Sequence, residues 1–335
     1  MKILITGGSG FVGARLARAL LAQGQLSVAG APARKVESIT LADRAPPPDD
    51  LAKDPRITFV GGDLNEQLAS KQVPAAGTEV VFHLAAAVSG ECEADFDLGM
   101  RSNFAATHAL LEACRALGNR PTVVFSSSVA VFGKLPGGEM PDPIEDFTLP
   151  TPQSSYGNQK AIGELMMADY ARKGYIRARS VRLMTVSVRP GRPNGAASSF
   201  FSGMIREPLA GVRAQVPVGA EVQHPILSPS LTIEGLIRCA EASDAEWGPL
   251  TGLNLPSLCV SVGEMAAALE RVSPEAARLL DWVPDERIGK LVYGWPGKVH
   301  WPRAKALGLK ANTDFESIVR EYIRENPQAV KVAVR

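Results

Sequence analysis

Through the first half of the chain, short apolar runs alternate with longer amphipathic stretches. The runs at residues 2–6, 38–42, 57–60, 79–84 and 122–126 are continuous rather than alternating, the mark of strands buried on both faces of a parallel sheet. Between the first two, Phe11, Val12, Leu16, Ala19 and Leu20 share one helical face and predict a helix over 11–23. Longer helical patterns cover 95–117 and 154–172. Strand–helix–strand repetition predicts an α/β fold with a doubly wound parallel sheet of the Rossmann type. The segment 24–36 exceeds an ordinary helix-to-strand link and is expected to be a mobile surface excursion.

Beyond about residue 185 the alternation fades, and proline and glycine become frequent, as in Arg189-Pro190-Gly191-Arg192-Pro193-Asn194-Gly195. Shorter helical patterns follow at 198–210, 230–242 and 261–272. The expected organisation is a nucleotide-binding domain over 1–185 and a smaller, mainly substrate-binding lobe over 186–335, some of whose segments return to the first core.

The first strand pattern runs straight into Gly7, Gly10 and Gly13, which precede or open the first helix pattern. A dinucleotide turn needs bare backbone at three such places: for the tight bend, for approach to the diphosphate, and for close helix packing. The helix start adds free amides and a partial positive charge. A plain glycine-rich corner would look the same in isolation. The second strand pattern leads into Asp43, which can accept ribose hydroxyls and would repel a 2′-phosphate, favouring NAD over NADP. Arg44 beside it could greet that phosphate. Asp63, in Gly61-Gly62-Asp63-Leu64, follows the third strand, where adenine is expected.

Tyr156 and Lys160 lie one helical turn apart. A phenol titrates near 10, and a neighbouring ammonium favours the phenolate, so the pair can take a proton from an alcohol. Ser126, Ser127 and Ser128 end a strand pattern, at the edge where such sheets bind ligands. A serine there can hold the substrate oxygen.

Composition narrows the classes. A net charge of +1 over 335 residues gives no basic face for nucleic acid and no polybasic membrane signal. No apolar run approaches the ~18 residues of a membrane span, and the N-terminus does not read as a signal peptide. Cys92, Cys114, Cys239 and Cys259 form no Cys-x-x-Cys pair, so reduced thiols in a cytoplasmic protein are expected, and no metal site. Glu91, Glu93, Asp95 and Asp97 head a helix pattern, where negative charge is favourable without any metal. His83, His108 and His300 are expected to be structural. His224 could bond a substrate hydroxyl or be satisfied within the lobe.

The motifs Thr6-Gly7-Gly8-Ser9-Gly10-Phe11-Val12-Gly13, His83-Leu84-Ala85-Ala86, Asn103, Phe125-Ser126-Ser127-Ser128-Val129-Ala130-Val131-Phe132-Gly133 and Tyr156-Gly157-Asn158-Gln159-Lys160 resemble the extended short-chain dehydrogenase/reductases. The resemblance implies an NAD(P) enzyme with catalytic Ser128, Tyr156 and Lys160. It implies that Phe11, Val12, Leu64, Leu84, Ala85, Ala86 and Ser126 lie around the cofactor with the glycines, Asp43, Asp63, Tyr156 and Lys160. Asn103 would lie near the lysine's surroundings or be purely structural. Ser89 would touch cofactor or substrate. The two long helices are the usual dimer surface of the family, which implies a homodimer.

Many such proteins act on nucleotide sugars and carry a Phe-Asn pair after the sixth strand and an Arg-Asp segment in the second lobe. Here those places read Arg182-Leu183-Met184-Thr185 and Gln223-His224-Pro225-Ile226-Leu227-Ser228. In their stead, Arg189, Arg192 and Asn194 run into a helix start with Ser198 and Ser199. Arginine grips carboxylates bidentately, so these residues, with Ser89, Ser128 and Tyr156, are the candidate substrate contacts. This stretch and Gly294-Trp295-Pro296-Gly297 resemble the sugar-acid dehydrogenases of the same family, which implies oxidation of a four-carbon sugar acid at C2 with NAD. A nucleotide-sugar 4-epimerase is the enzymatic alternative, and a dinucleotide-sensing regulator the non-enzymatic one.

Overall fold

The computed structural model describes residues 1–135, 137–191 and 196–335. Seven strands form one parallel sheet: β1 (Lys2–Thr6), β2 (Ser38–Asp43), β3 (Ile57–Gly61), β4 (Thr78–His83), β5 (Thr122–Ser128), β6 (Arg177–Leu183) and β7 (Leu253–Asn254). Their spatial order is β3-β2-β1-β4-β5-β6-β7. The order reverses between β1 and β4, and in such sheets a crevice opens there beyond the strand C-termini. The continuous apolar runs are buried as their pattern requires: Ile3, Leu4 and Ile5 of β1 and Val80, Val81 and Phe82 of β4 are fully covered. Parallel register brings Thr6 beside Ala42 and His83, so the chemistry-bearing residues past each strand gather at one edge.

Helix α1 (Phe11–Gln23) ends at Gly24, whose left-handed φ of 69° lets its amide close on Leu20. The segment after it is not the mobile excursion expected. It forms a short hairpin, Gln25–Leu26 against Arg34–Lys35, with Leu26 and Val36 fully buried. Ala29 and Gly30 amides donate to Ala240 and Glu241 carbonyls of a distant helix, which ties the hairpin down. The helix expected over 95–117 is also more complex. Phe96–Gly99 and α2 (Ala106–Leu117) flank a π-helical stretch, Met100–Ala105. Wide turns of this kind cluster at functional sites, and this one carries Asn103. Helix α3 (Ser155–Arg172) starts from Ser154, whose hydroxyl accepts the Gly157 amide.

The second lobe has its own apolar centre, including Phe201, Ile205, Ile226, Met265 and Ile318, around a three-stranded sheet of Thr185–Val186, Gln223–Leu227 and Leu258–Ser261. Its chain repeatedly rejoins the first core, with Val299, Ala304, Leu307 and Leu309 among the late returns. Helix Pro229–Glu241 inserts Leu236, Cys239 and Ala240 there, and β7 extends the large sheet beside β6.

Candidate active site

Sterics build the floor of the crevice. Gly7 has φ +69°, and a Cβ there would fall 2.8 Å from the Ala85 amide nitrogen. A Cβ on Gly13 would overlap the Gly7 carbonyl oxygen at 2.1 Å, so α1 packs this close only because position 13 is bare. Gly10 precedes the helix without a side-chain cap. His83, fully buried, bridges Thr6 Oγ1 (2.7 Å) and Thr107 Oγ1 (2.9 Å), locking β1, β4 and α2 together below this turn. Burial pushes its pKa down to about 3, so it stays neutral.

Two adjoining cavities occupy the crevice. The first is lined by Gly7, Gly10, Asp43, Arg44, Asp63, Leu64, Asn65, Ala85 and Glu91, among others. Asp43 accepts the Ser9 amide (3.0 Å) and the Ala45 amide (3.2 Å). Each carboxylate oxygen retains further lone pairs. Asp63 caps the helix Leu64–Ala69 through the Asn65 amide and pairs with Arg44. The Arg44 guanidinium holds the Asp63 carboxyl below the usual range.

The second cavity is lined by Val12, Ser89, Ser126, Ser128, Tyr156, Lys160, Thr185, Arg189, Ser198, His224 and Trp295, among others. Leu84 and Ala86 line both. Lys160 Nζ donates to the Ser126 carbonyl (2.7 Å) and sits 4.8 Å from the Phe125 ring centre and 5.6 Å from that of Tyr156. Ser126 Oγ donates in turn to the His83 carbonyl. Ser128 Oγ accepts the Ala130 amide (3.1 Å) and also favours the Tyr156 phenolate by hydrogen bonding. Below these, Arg182 forks onto Glu164 at 2.8 and 2.7 Å, and Ser127 donates to the same carboxylate, pinning β5 and β6 to α3.

Electrostatics here differ from the expectation that Lys160 would make Tyr156 acidic. Burial dominates, and the phenol is pushed up to about 12 although Ser128 and Arg189 pull it down. Burial lowers Lys160 to about 8, and its proton is directed at a carbonyl. In the protein alone Tyr156 is therefore protonated at neutral pH.

Arg189 is half-buried. Burial and then the nearby Arg206 lower its pKa, while Tyr156 raises it. Its Nη2 reaches Ser198 Oγ at 3.5 Å. Ser89 Oγ accepts the Ala197 amide (3.3 Å), joining the loop after β4 to the second lobe. Some candidates fall elsewhere. Phe11 lies under the Arg15 guanidinium, and Gly13 lies beneath the turn; neither lines the cavities. Asn103 stands behind the crevice, its Oδ1 accepting the Ala87 amide (2.8 Å) and its Nδ2 donating to the Ala87 carbonyl and Gln159. It shapes the loop and is not among the residues that line either cavity. Ser199 opens the helix Ser199–Leu209 without lining the cavity. Arg192 and Asn194 lie outside the described residues. Thr185, Trp295 and Asn65 were missed. Only their positions just past strands, or in the Gly-Trp-Pro-Gly stretch, could have marked them.

The profile of the NAD dependent epimerase/dehydratase family matches residues 3–222. The chain belongs to this family. Among other members, the D-erythronate dehydrogenase of Cupriavidus necator is 45% identical over 97% of this chain and 98% of its own. That of Haemophilus influenzae is 38% identical, over 96% and 99%. A crystal structure described as a nucleoside-diphosphate-sugar epimerase from Agrobacterium tumefaciens superposes with a TM-score of 0.88, at 39% identity, covering 98% of this chain and 95% of that one. This family member is an oxidoreductase with a small-molecule cavity, and none of its described helices is long and apolar enough to cross a membrane.

Proposed function

We propose that the protein oxidises the C2 hydroxyl of a four-carbon sugar acid, D-erythronate, to the 2-oxo acid with NAD. The observation that carries this reading is one cavity holding both Arg189, a partner for a carboxylate, and Tyr156, a partner for an alcohol, close enough to shift each other's pKa. The extensive identity to two D-erythronate dehydrogenases supports it.

The residues fit a dinucleotide, since side chains at Gly7 and Gly13 would destroy the cradle. Gly10 and the first amides of α1 would hold the diphosphate, Asp43 the ribose, and Asp63 and Leu64 the adenine side. Arg44, engaged by Asp63, supports NAD over NADP. Bound NAD supplies the acceptor for the hydride that leaves C2. Ser128 orients the C2 oxygen, and Tyr156 takes its proton once the positive charges of bound NAD and of Lys160, protonated below about pH 8, favour the phenolate. Arg189 and Ser198 fix the carboxylate. A cytoplasmic homodimer completes the reading. Exposed Phe96, Ile162 and Leu165, on or beside the two long helices, support the pairing.

A nucleotide-sugar 4-epimerase is the second reading, favoured by the description of the Agrobacterium structure. Against it stand Arg182-Leu183-Met184-Thr185, where many nucleotide-sugar members carry an asparagine. With NAD in excess, D-erythronate is expected to give net NADH and UDP-sugars none. Epimerised UDP-sugar without net NADH, and no NADH from any four- or five-carbon aldonic acid, would overturn the assignment.

A further inference from the structure

His224 belongs to the strand Gln223–Leu227, and it is among the residues that line the cavity shared by Tyr156 and Arg189. The residue is 1% exposed. Phe201 stacks on the ring, with centroids 4.5 Å apart and planes within 8°. Trp295 tilts against it at 5.4 Å. Nε2 and the Thr185 hydroxyl are 2.7 Å apart. Nδ1 has no hydrogen-bond partner among the described residues. Phe201 thus sets the plane of the ring and Thr185 its rotation, which leaves one polar edge to be satisfied. Buried polar atoms are rarely left bare without a purpose. Burial holds the imidazole neutral, its pKa pushed down to about 3, so one nitrogen donates and the other accepts.

We infer that His224 Nδ1 hydrogen-bonds a substrate hydroxyl beyond the reacting carbon, so that the cavity selects polyhydroxy acids over deoxy acids. The inference rests on the 2-hydroxy-acid reading above. A hydroxyl suits either tautomer, because it both donates and accepts, whereas a methyl or methylene group does neither. An analogue lacking the hydroxyl leaves the nitrogen bare, which is the arrangement that discriminates most strongly between otherwise similar substrates.

The test compares kcat/KM for D-erythronate and for 2-hydroxybutyrate, which lacks both distal hydroxyls, in the wild type and in His224→Phe. Phenylalanine keeps the stacking and removes the nitrogens. The wild type is expected to prefer D-erythronate by about 100-fold or more. In the variant that ratio is expected to fall about tenfold or more, through loss with D-erythronate alone. An unchanged ratio, or an equal loss with both acids, overturns the inference and leaves the 2-hydroxy-acid reading standing. NADH from neither acid in the wild type defeats that reading and the inference together. Where His224→Phe melts early, Thr185→Val, which frees the ring to turn, is judged by the same ratio and is expected to lower it.

Discussion

At the diphosphate end of the crevice the surface is made of backbone: Gly7 bends, Gly10 opens a helix, and Gly13 lets that helix lie against the bend. At the reacting end it is made of side chains from separate places, Ser128 on β5, Tyr156 on α3, Arg189 on a loop and His224 in the second lobe. The first surface is local, determined by what cannot fit. The second is assembled, and its chemistry is set by burial that no single segment controls. Tyr156 illustrates the point: its neighbours include a hydroxyl and a guanidinium that lower its pKa, yet enclosure outweighs both. The same enclosure makes Lys160 a weaker acid–base anchor than its distance alone implies.

The sharpest way to break this contrast is Tyr156→Phe, expected to lower kcat by about 10³-fold or more while NAD titration by fluorescence is nearly unchanged. Activity at the wild-type level would remove Tyr156 as the base. In the wild type the rate should climb with pH, because the reacting form is the deprotonated phenol, and this limb should be absent from any residual activity of the variant. Arg189→Gln comes next. Losing a charge-assisted grip is expected to reduce kcat/KM for D-erythronate about 10- to 100-fold. The loss should be much smaller for the corresponding amide, which carries no carboxylate; equal losses would place the carboxylate elsewhere. The smallest effect is expected at the local end: Asp43→Ala should shift the NAD-to-NADP preference by about tenfold through removal of one anion. A wild type that already prefers NADP would refute the assignment of Asp43.

The same contrast governs what could be read before any coordinates. The first five strands were legible because uninterrupted apolar runs have few alternatives, whereas Arg177–Leu183 and Leu253–Asn254 carry no such run; α1 was legible to the residue because Gly24 stops it. The π-helical turn was not, since a single extra residue per turn around Asn103 leaves the apolar spacing almost intact. The hairpin after Gly24 was misjudged because its anchors, Leu26 and Val36, are isolated apolar residues whose partners are far along the chain. The glycines, Tyr156 and Lys160 stood out by type and spacing. The shifted pKa values did not, because Lys160 is satisfied by a carbonyl 34 positions away and the cavity that Tyr156 lines draws its walls from both lobes.

The strand Leu253–Asn254 lies at the far margin of the large sheet although the chain has by then already passed through part of the smaller lobe. A nascent polypeptide therefore cannot finish its nucleotide half first and append the rest. Residues near 254 must emerge from the ribosome before that margin is sealed, so a fragment that ends before them is expected to lack the outer edge of the large sheet.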